Sequence, residues 1–169
     1  MYWRRRLPHW VPDNVEVFVT WRLAGAVRVS EVSPAPAWLA HAPVANVVVE
    51  ALLHGQNVRQ LYDLMSWVIM PDHMHMVILP GCKLPEIMRW LKAATANRAN
   101  RLLGRRGQPF WQREYFDRWI RSDEQLASVI AYVEDNPGEW PWSSAHRVPA
   151  AETAGATNDA TSVSPFTAP

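Results

Sequence analysis

A single cysteine, Cys82, in 169 residues leaves nothing for an internal disulfide to join, and a chain without disulfides suits a reducing cytoplasm. The same scarcity argues against a structural zinc site, which draws on three or four protein ligands and commonly on thiolates. No apolar run approaches the ~20 residues that span a bilayer. The opening Met1–Tyr2–Trp3–Arg4–Arg5–Arg6 leads to Pro8 and His9 and not to an apolar stretch, so no signal peptide is read there. Lysine is nearly absent: fifteen of the seventeen basic residues are arginine. Net charge is also small, at +1, and no internal repeat is visible.

Hydrophobic content of 49% and charged content of 20% are ordinary for a globular protein, and the length is that of one domain. The basic residues are not spread evenly. Arg89, Lys92, Arg98, Arg101, Arg105, Arg106, Arg113, Arg118 and Arg121 fall in one stretch opposed only by Glu114 and Asp117, a local net charge of +7. Arg4–Arg5–Arg6 forms a second cluster. Such runs are often no more than solvated helix faces. Arginine, however, matches phosphate with a bidentate fork that lysine lacks, which favours a polyanionic partner.

The chain is organised around Trp67–Val68–Ile69–Met70–Pro71–Asp72–His73–Met74–His75–Met76–Val77–Ile78–Leu79–Pro80. Two apolar runs flank a Pro-Asp pair, the pattern of a hairpin turn. Strand side chains alternate, so His73 and His75 share one face and Met74, Met76 and Ile78 the other. Two same-face imidazoles are close enough to share a divalent metal, although His-x-His alone is more often a pair of partly exposed histidines. A two-histidine site completed by an amide or carboxylate, with positions open to water and phosphate, suits Mg²⁺ or Mn²⁺ better than zinc.

In order, Val15–Leu23 is β-branched and aromatic and reads as the first strand. Pro43 to Gly55 reads as a helix with Pro in its first turn and Gly at its end. Leu61–Met70 and His73–Leu79 make the hairpin. Leu84 to Leu103 is a helix with Leu84, Ile87, Met88, Leu91, Thr95 and Leu102 on one stripe and Gly104 closing it. Phe110 to Ile120 reads as a fourth strand. Ser122 then caps a last helix with Gln125 as its capping-box partner. Its stripe is Leu126, Val129, Ile130 and Val133, with Tyr132 and Asn136 on one ridge beside it and Pro137 as the stop. Beyond Val148, Ala, Thr, Ser and Pro dominate, so a disordered tail is expected over 148–169. The order β-α-β-β-α-β-α predicts an α+β, ferredoxin-like fold: a four-stranded antiparallel sheet with helices on one face and an appended C-terminal helix. The first and third strands are then central.

These stretches resemble a known family. Trp3–Arg4–Arg5–Arg6–Leu7–Pro8–His9–Trp10, Phe18–Val19–Thr20–Trp21–Arg22–Leu23–Ala24–Gly25 and Met70–Pro71–Asp72–His73–Met74–His75 match in order. So do Arg98–Ala99–Asn100–Arg101–Leu102–Leu103–Gly104, Gln108–Pro109–Phe110–Trp111–Gln112, Tyr132–Val133–Glu134–Asp135–Asn136–Pro137 and Trp140–Pro141–Trp142–Ser143–Ser144. Together they resemble the REP-associated tyrosine transposases, a branch of the single-tyrosine HUH transposases, and the match makes residues 1–147 one endonuclease domain with a basic N-terminal arm. The resemblance implies a metal-dependent, site-specific endonuclease and strand transferase acting on single-stranded hairpins of repetitive extragenic palindromes. It places the metal, Mg²⁺ or Mn²⁺, on His73, His75 and Asn136, and the nucleophile on Tyr132, which would form a 5′-phosphotyrosine. DNA contacts are expected from Arg4, Arg5, Arg6, Arg89, Lys92, Arg98, Arg101, Arg105, Arg106 and Arg113, and a cytoplasmic, nucleoid-associated location follows. One departure stands out: Gly138 and Glu139 alone bridge the Asn-Pro and Trp-Pro-Trp segments, a shorter link than the family's usual one.

Among the four tyrosines only Tyr132 has a possible metal ligand one helical turn away; Tyr115 is the fallback. Trp3 and Trp10, beside the arginine arm, could stack on unpaired bases. Two other readings remain open. One is a catalytically weakened relative that grips hairpin DNA or RNA without cutting it. The other is a metal phosphoesterase for small nucleotides, which would form no covalent adduct. The sequence leaves both monomer and homodimer open.

Overall fold

The computed structural model describes residues 11–26, 36–136 and 142–144. The arm with Arg4, Arg5 and Arg6, the Pro137–Pro141 link and the tail expected over 148–169 lie outside the described residues. Strand β1 (Val17–Arg22) is followed by a 3-10 turn over Trp38–Ala40 and helix α1 (Ala42–Asn57). Then come β2 (Tyr62–Ile69), β3 (His73–Pro80), α2 (Leu84–Leu102), β4 (Phe116–Trp119) and α3 (Asp123–Asp135). The strands form one antiparallel sheet in the order β2-β3-β1-β4, so β1 and β3 are central, as expected.

Alternation along the strands sorts side chains into two layers. Val17, Val19 and Trp21 of β1 and Met74, Met76 and Ile78 of β3 pack with Val48, Leu52, Ile87 and Leu91 of α1 and α2. Each fully buried side chain of this size stabilises the fold by about 1.5–3 kcal/mol, so this layer carries most of the stability. The opposite face carries a smaller apolar cluster, in which Val68, Val77, Ile120 and Val133 meet Phe18, Leu126, Val129 and Ile130. The predicted stripe of α3 is thus the one that docks. Its cap is also the predicted one: Ser122 Oγ accepts from the Gln125 amide at 3.2 Å, and Gln125 Oε1 accepts from the Arg121 amide at 2.8 Å. Such a cap is worth about 1 kcal/mol.

β2 keeps a single core face only because it is interrupted. Between Leu64 and Ser66 the register against β3 shifts by one residue, which leaves Met65 as a bulge. Tyr62 and Leu64 before it and Trp67 and Ile69 after it therefore face the same core, while Met65, Val68 and Met70 face the other layer. The outer edge of β2 is covered in turn by residues 142–144. Val68 bridges to Ser143, and the Ile69 amide donates to the Trp142 carbonyl at 2.8 Å. Such pairing blunts an edge that would otherwise template further strands.

Three sequence expectations are corrected. The helix beginning near Pro43 does not end at Gly55 but runs to Asn57, with Gly55 buried against Tyr62 and Trp90. Leu102 is not in the α2 stripe: it is 55% exposed, and Ala99 and Asn100 are buried instead. Helical drift over five turns carries position 102 out of the contact, and the chain is already turning there. The turn is a Schellman ending, with Gly104 at φ +66°, its amide on the Arg101 carbonyl and the Arg105 amide on the Asn100 carbonyl.

The third correction concerns Phe110–Ile120, which is not one strand. Phe110 and Trp111 are buried in the larger core, and Trp111 bridges to Leu23 beyond the end of β1. The chain leaves the ladder at Arg113–Tyr115 and returns only at Phe116. Lys92 holds this departure: its Nζ donates to the carbonyls of Gln112, Arg113 and Glu114 at 2.9, 3.0 and 3.1 Å. Backbone acceptors that lost their strand partners are satisfied by one ammonium.

Candidate active site

β3 and the turn before it bring the two histidines to the face that α3 covers. The His73 and His75 rings are 4.9 Å apart between centroids. Each has its Nδ1 committed to a neighbour. His75 Nδ1 lies 2.7 Å from Thr20 Oγ1, its cross-strand partner on β1. His73 Nδ1 contacts Asp72 Oδ1 at 2.5 Å, and the other Asp72 oxygen accepts from Arg22 Nη1 at 3.3 Å. The turn that carries Asp72 is held from outside, because the Leu23 amide donates to the Asp72 carbonyl and the Leu39 amide to the Pro71 carbonyl. With both Nδ1 atoms engaged, the Nε2 atoms are left for a ligand, the arrangement by which outer partners orient metal-binding imidazoles.

Burial, then the neighbouring His73 and Arg22, push the His75 pKa down to about 4 against a smaller opposing effect of Asp72. The imidazole is therefore neutral near pH 7, the form that ligates metal. Among the described residues no group of three or more His, Cys, Asp or Glu converges on a metal position. The donor set is thus two imidazoles plus whatever an amide, water or phosphate adds. That fits an ion keeping open positions and does not fit a closed structural site.

α3 lays Tyr132 over this pair. Its ring is 5.7 Å from that of His75 and 6.2 Å from that of Phe18, edge-on to both. Phe18 in turn stacks on His75 at 5.3 Å. Tyr132 is nevertheless 54% exposed, so its ring is open to solvent. Asn136 caps the same helix with helical angles, φ −70° and ψ −30°, which keeps it one turn beyond Tyr132. The fallback Tyr115 sits elsewhere, half-buried, with the Lys92 ammonium 5.3 Å from its ring centre.

Beneath Tyr132 a cleft of about 280 Å³ opens between α3 and the sheet. Phe18, His75 and Ile120 line it from the strand side, joined by Phe116 and Arg118 of β4, and Gln125 and Val129 line it from α3. Reading the sequence alone assigned no role here to Thr20, Asp72, Arg22 or Phe116. Asp72 was detectable from its place beside His73. Thr20 was not, because its role depends on the β1–β3 register.

The expected DNA-contacting residues are not gathered at this cleft. Arg89, Arg98 and Arg101 are exposed on α2, in the layer behind the sheet, and Arg106 and Arg113 are exposed in the segment after it. Arg98 pairs with Glu50 of α1. Arg105 lies over the Trp38 ring at 3.9 Å. Lys92 is engaged by the three carbonyls described above, which occupy all its donors.

A family model described as IS200-like transposase matches residues 43–136, the stretch that contains both histidines, Tyr132 and Asn136. The chain belongs to the IS200-like transposase family. Among solved structures, its fold is similar to that of a REP-associated tyrosine transposase bound to a REP hairpin, with 21% identity and a TM-score of 0.61 over 87% of this chain and 84% of that one. A candidate transposase from Deinococcus radiodurans R1 is 19% identical with a TM-score of 0.49, over 75% of this chain and 92% of the other. No curated protein matches the sequence. Among the described residues, no helix of this transposase-family chain is long and apolar enough to cross a membrane.

Proposed function

We propose that this member of the transposase family is a metal-dependent, single-stranded DNA endonuclease and strand transferase acting on REP-like hairpins through a 5′-phosphotyrosine. The observation that carries the reading is the convergence of Tyr132 on the oriented pair His73 and His75, with the Tyr132 and His75 rings 5.7 Å apart. His73 and His75, with Asn136 completing the set, would hold Mg²⁺ or Mn²⁺. When bound, such an ion supplies Lewis-acid stabilisation of the phosphate oxygens.

The chain's own residues do the rest. The Tyr132 oxygen attacks phosphorus, an O–P bond forms, and the bond from phosphorus to O3′ breaks. The phenol loses its proton and O3′ gains one, so the products are a 5′-phosphotyrosine and a free 3′-OH. One ester replaces another, and a second 3′-OH can therefore reverse the step without ATP. Thr20 and Asp72 keep both imidazoles in place while this happens. A hairpin partner is supported by family membership and by the fold shared with a hairpin-bound relative.

The test is a labelled stem-loop incubated with Mn²⁺ and resolved under denaturing conditions. Wild type should carry the label on the 5′-phosphate side as a protein adduct, and Tyr132→Phe should carry none while still binding the stem-loop. Free cut ends without adduct would replace tyrosine by water as nucleophile. Binding without any cutting would leave the non-cutting hairpin-binding reading, which the short link after Pro137 favours.

A further inference from the structure

Strand β4 contributes two side chains to the cleft, and neither is required by the chemistry so far. Phe116 and Arg118 alternate with Asp117 and Trp119, so both face α3. Phe116 is 52% exposed, unusual for a phenylalanine with a core available on either side of its sheet. Arg118 is exposed opposite Phe18 in the β1 ladder, and among the described residues its guanidinium has no ion pair or hydrogen bond. Among the residues that line the cleft, Arg118 is the one that carries a permanent positive charge. Around it lie the apolar Phe18 and Val129, the amide of Gln125 and the Tyr132 ring.

An apolar floor, one exposed aromatic face, one guanidinium and one amide suit a nucleotide. The volume, about 280 Å³, is at the low end of small-ligand pockets, the scale of a single nucleotide. We propose that Phe116 and Arg118 form a single-nucleotide subsite of the cleft. The Arg118 fork takes the phosphate that Tyr132 attacks, and Phe116 stacks the adjoining unpaired base. The subsite rests on the endonuclease reading and deepens it by naming what positions the strand. A phosphodiester gains charge as the phenolic oxygen adds to it, and a guanidinium already in place needs no rearrangement to stabilise that charge. Stacking tolerates any base, so Phe116 contributes grip without dictating sequence.

Two measurements test this, the first of them independent of cleavage. In a Tyr132→Phe background, affinity is compared for a stem-loop with a randomised single-stranded flank and for the bare stem-loop. Arg118→Gln or Phe116→Leu should each cost about tenfold on the flanked probe and leave the bare one unchanged, with Arg118→Lys recovering part of the loss. In the Tyr132 enzyme, Arg118→Gln should slow adduct formation about a hundredfold on a normal phosphodiester. It should have little further effect on a neutral methylphosphonate at the cut position. Equal affinity for the flanked probe in all variants, or equal slowing on both substrates, overturns the subsite. If wild type forms no adduct but the flank-specific losses appear, the cleavage reading fails and the subsite stands.

Discussion

Thr20 and His75 face each other across the β1–β3 ladder with Oγ1 and Nδ1 2.7 Å apart. The hydroxyl fixes which ring nitrogen of His75 is left for a ligand. Thr20→Val keeps the branched strand side chain and removes that oxygen. Metal affinity should fall about 10–100-fold, the usual effect of losing such a partner, with thermal stability little changed. Titration of Mn²⁺ into the variant measures it. Unchanged affinity would show that packing by Phe18 alone orients the ring.

The depressed His75 pKa sets a pH dependence for the metal-free protein. The unfolded chain takes up a proton on this imidazole near pH 6.5, and the folded chain only near 4. The unfolded state therefore binds more protons between those values, and stability falls as pH drops from about 6.5 to about 4. At most about 3 kcal/mol is involved. Urea unfolding at pH 7.5 and pH 4.5 should show the loss, and His75→Gln should remove this part of it. Parallel losses in both proteins would assign the pH dependence to other groups.

Gly55 sits inside α1 where a methyl group has no room. A Cβ there would lie 2.9 Å from Trp90 Cζ3 and 2.8 Å from Tyr62 Cζ, and Tyr62 Oη donates to the Leu52 carbonyl at 2.9 Å. Gly55→Ala raises helix propensity by up to about 1 kcal/mol. The overpacking and the disturbed hydrogen bond should outweigh that gain, for a net loss of about 1–2 kcal/mol. Denaturant unfolding decides the sign: a more stable variant would mean that the two rings shift at little cost.

Lys92 and its arginine neighbours should separate cleanly. Lys92→Met removes the donor for three carbonyls and should cost about 1–3 kcal/mol of stability, while the salt dependence of stem-loop binding stays as in wild type. Replacing the exposed Arg101 and Arg106 with Ala should do the reverse. Stability should hold, and each lost phosphate contact should flatten the slope of log affinity against log salt by about 0.7–0.9. A flattened slope in Lys92→Met would place its ammonium on the DNA.

What the sequence by itself determined is whatever rests on period and local chemistry. The alternation around Met74 and Met76 assigned both faces of β3 and put His73 and His75 together. The Ser122–Gln125 cap and the Leu126–Val133 stripe located α3 and, with them, the side from which Tyr132 emerges. The order of elements was enough for the sheet topology, because short antiparallel connections leave few alternatives. Tertiary structure decided whatever depends on register or on a distant partner. The Met65 bulge reverses strand parity with no mark in composition. Lys92 looks like one more charge in a basic run until the loop that it holds is in place. Phe110 to Ile120 reads as one strand because apolar residues persist through it, yet its first part is buried against α2 and only its last part pairs in the ladder. Thr20 becomes a partner of His75, and Phe116 and Arg118 become walls of the cleft, only through cross-strand pairing. Such pairing joins residues 55 positions apart at Thr20 and His75, a separation that no local pattern encodes.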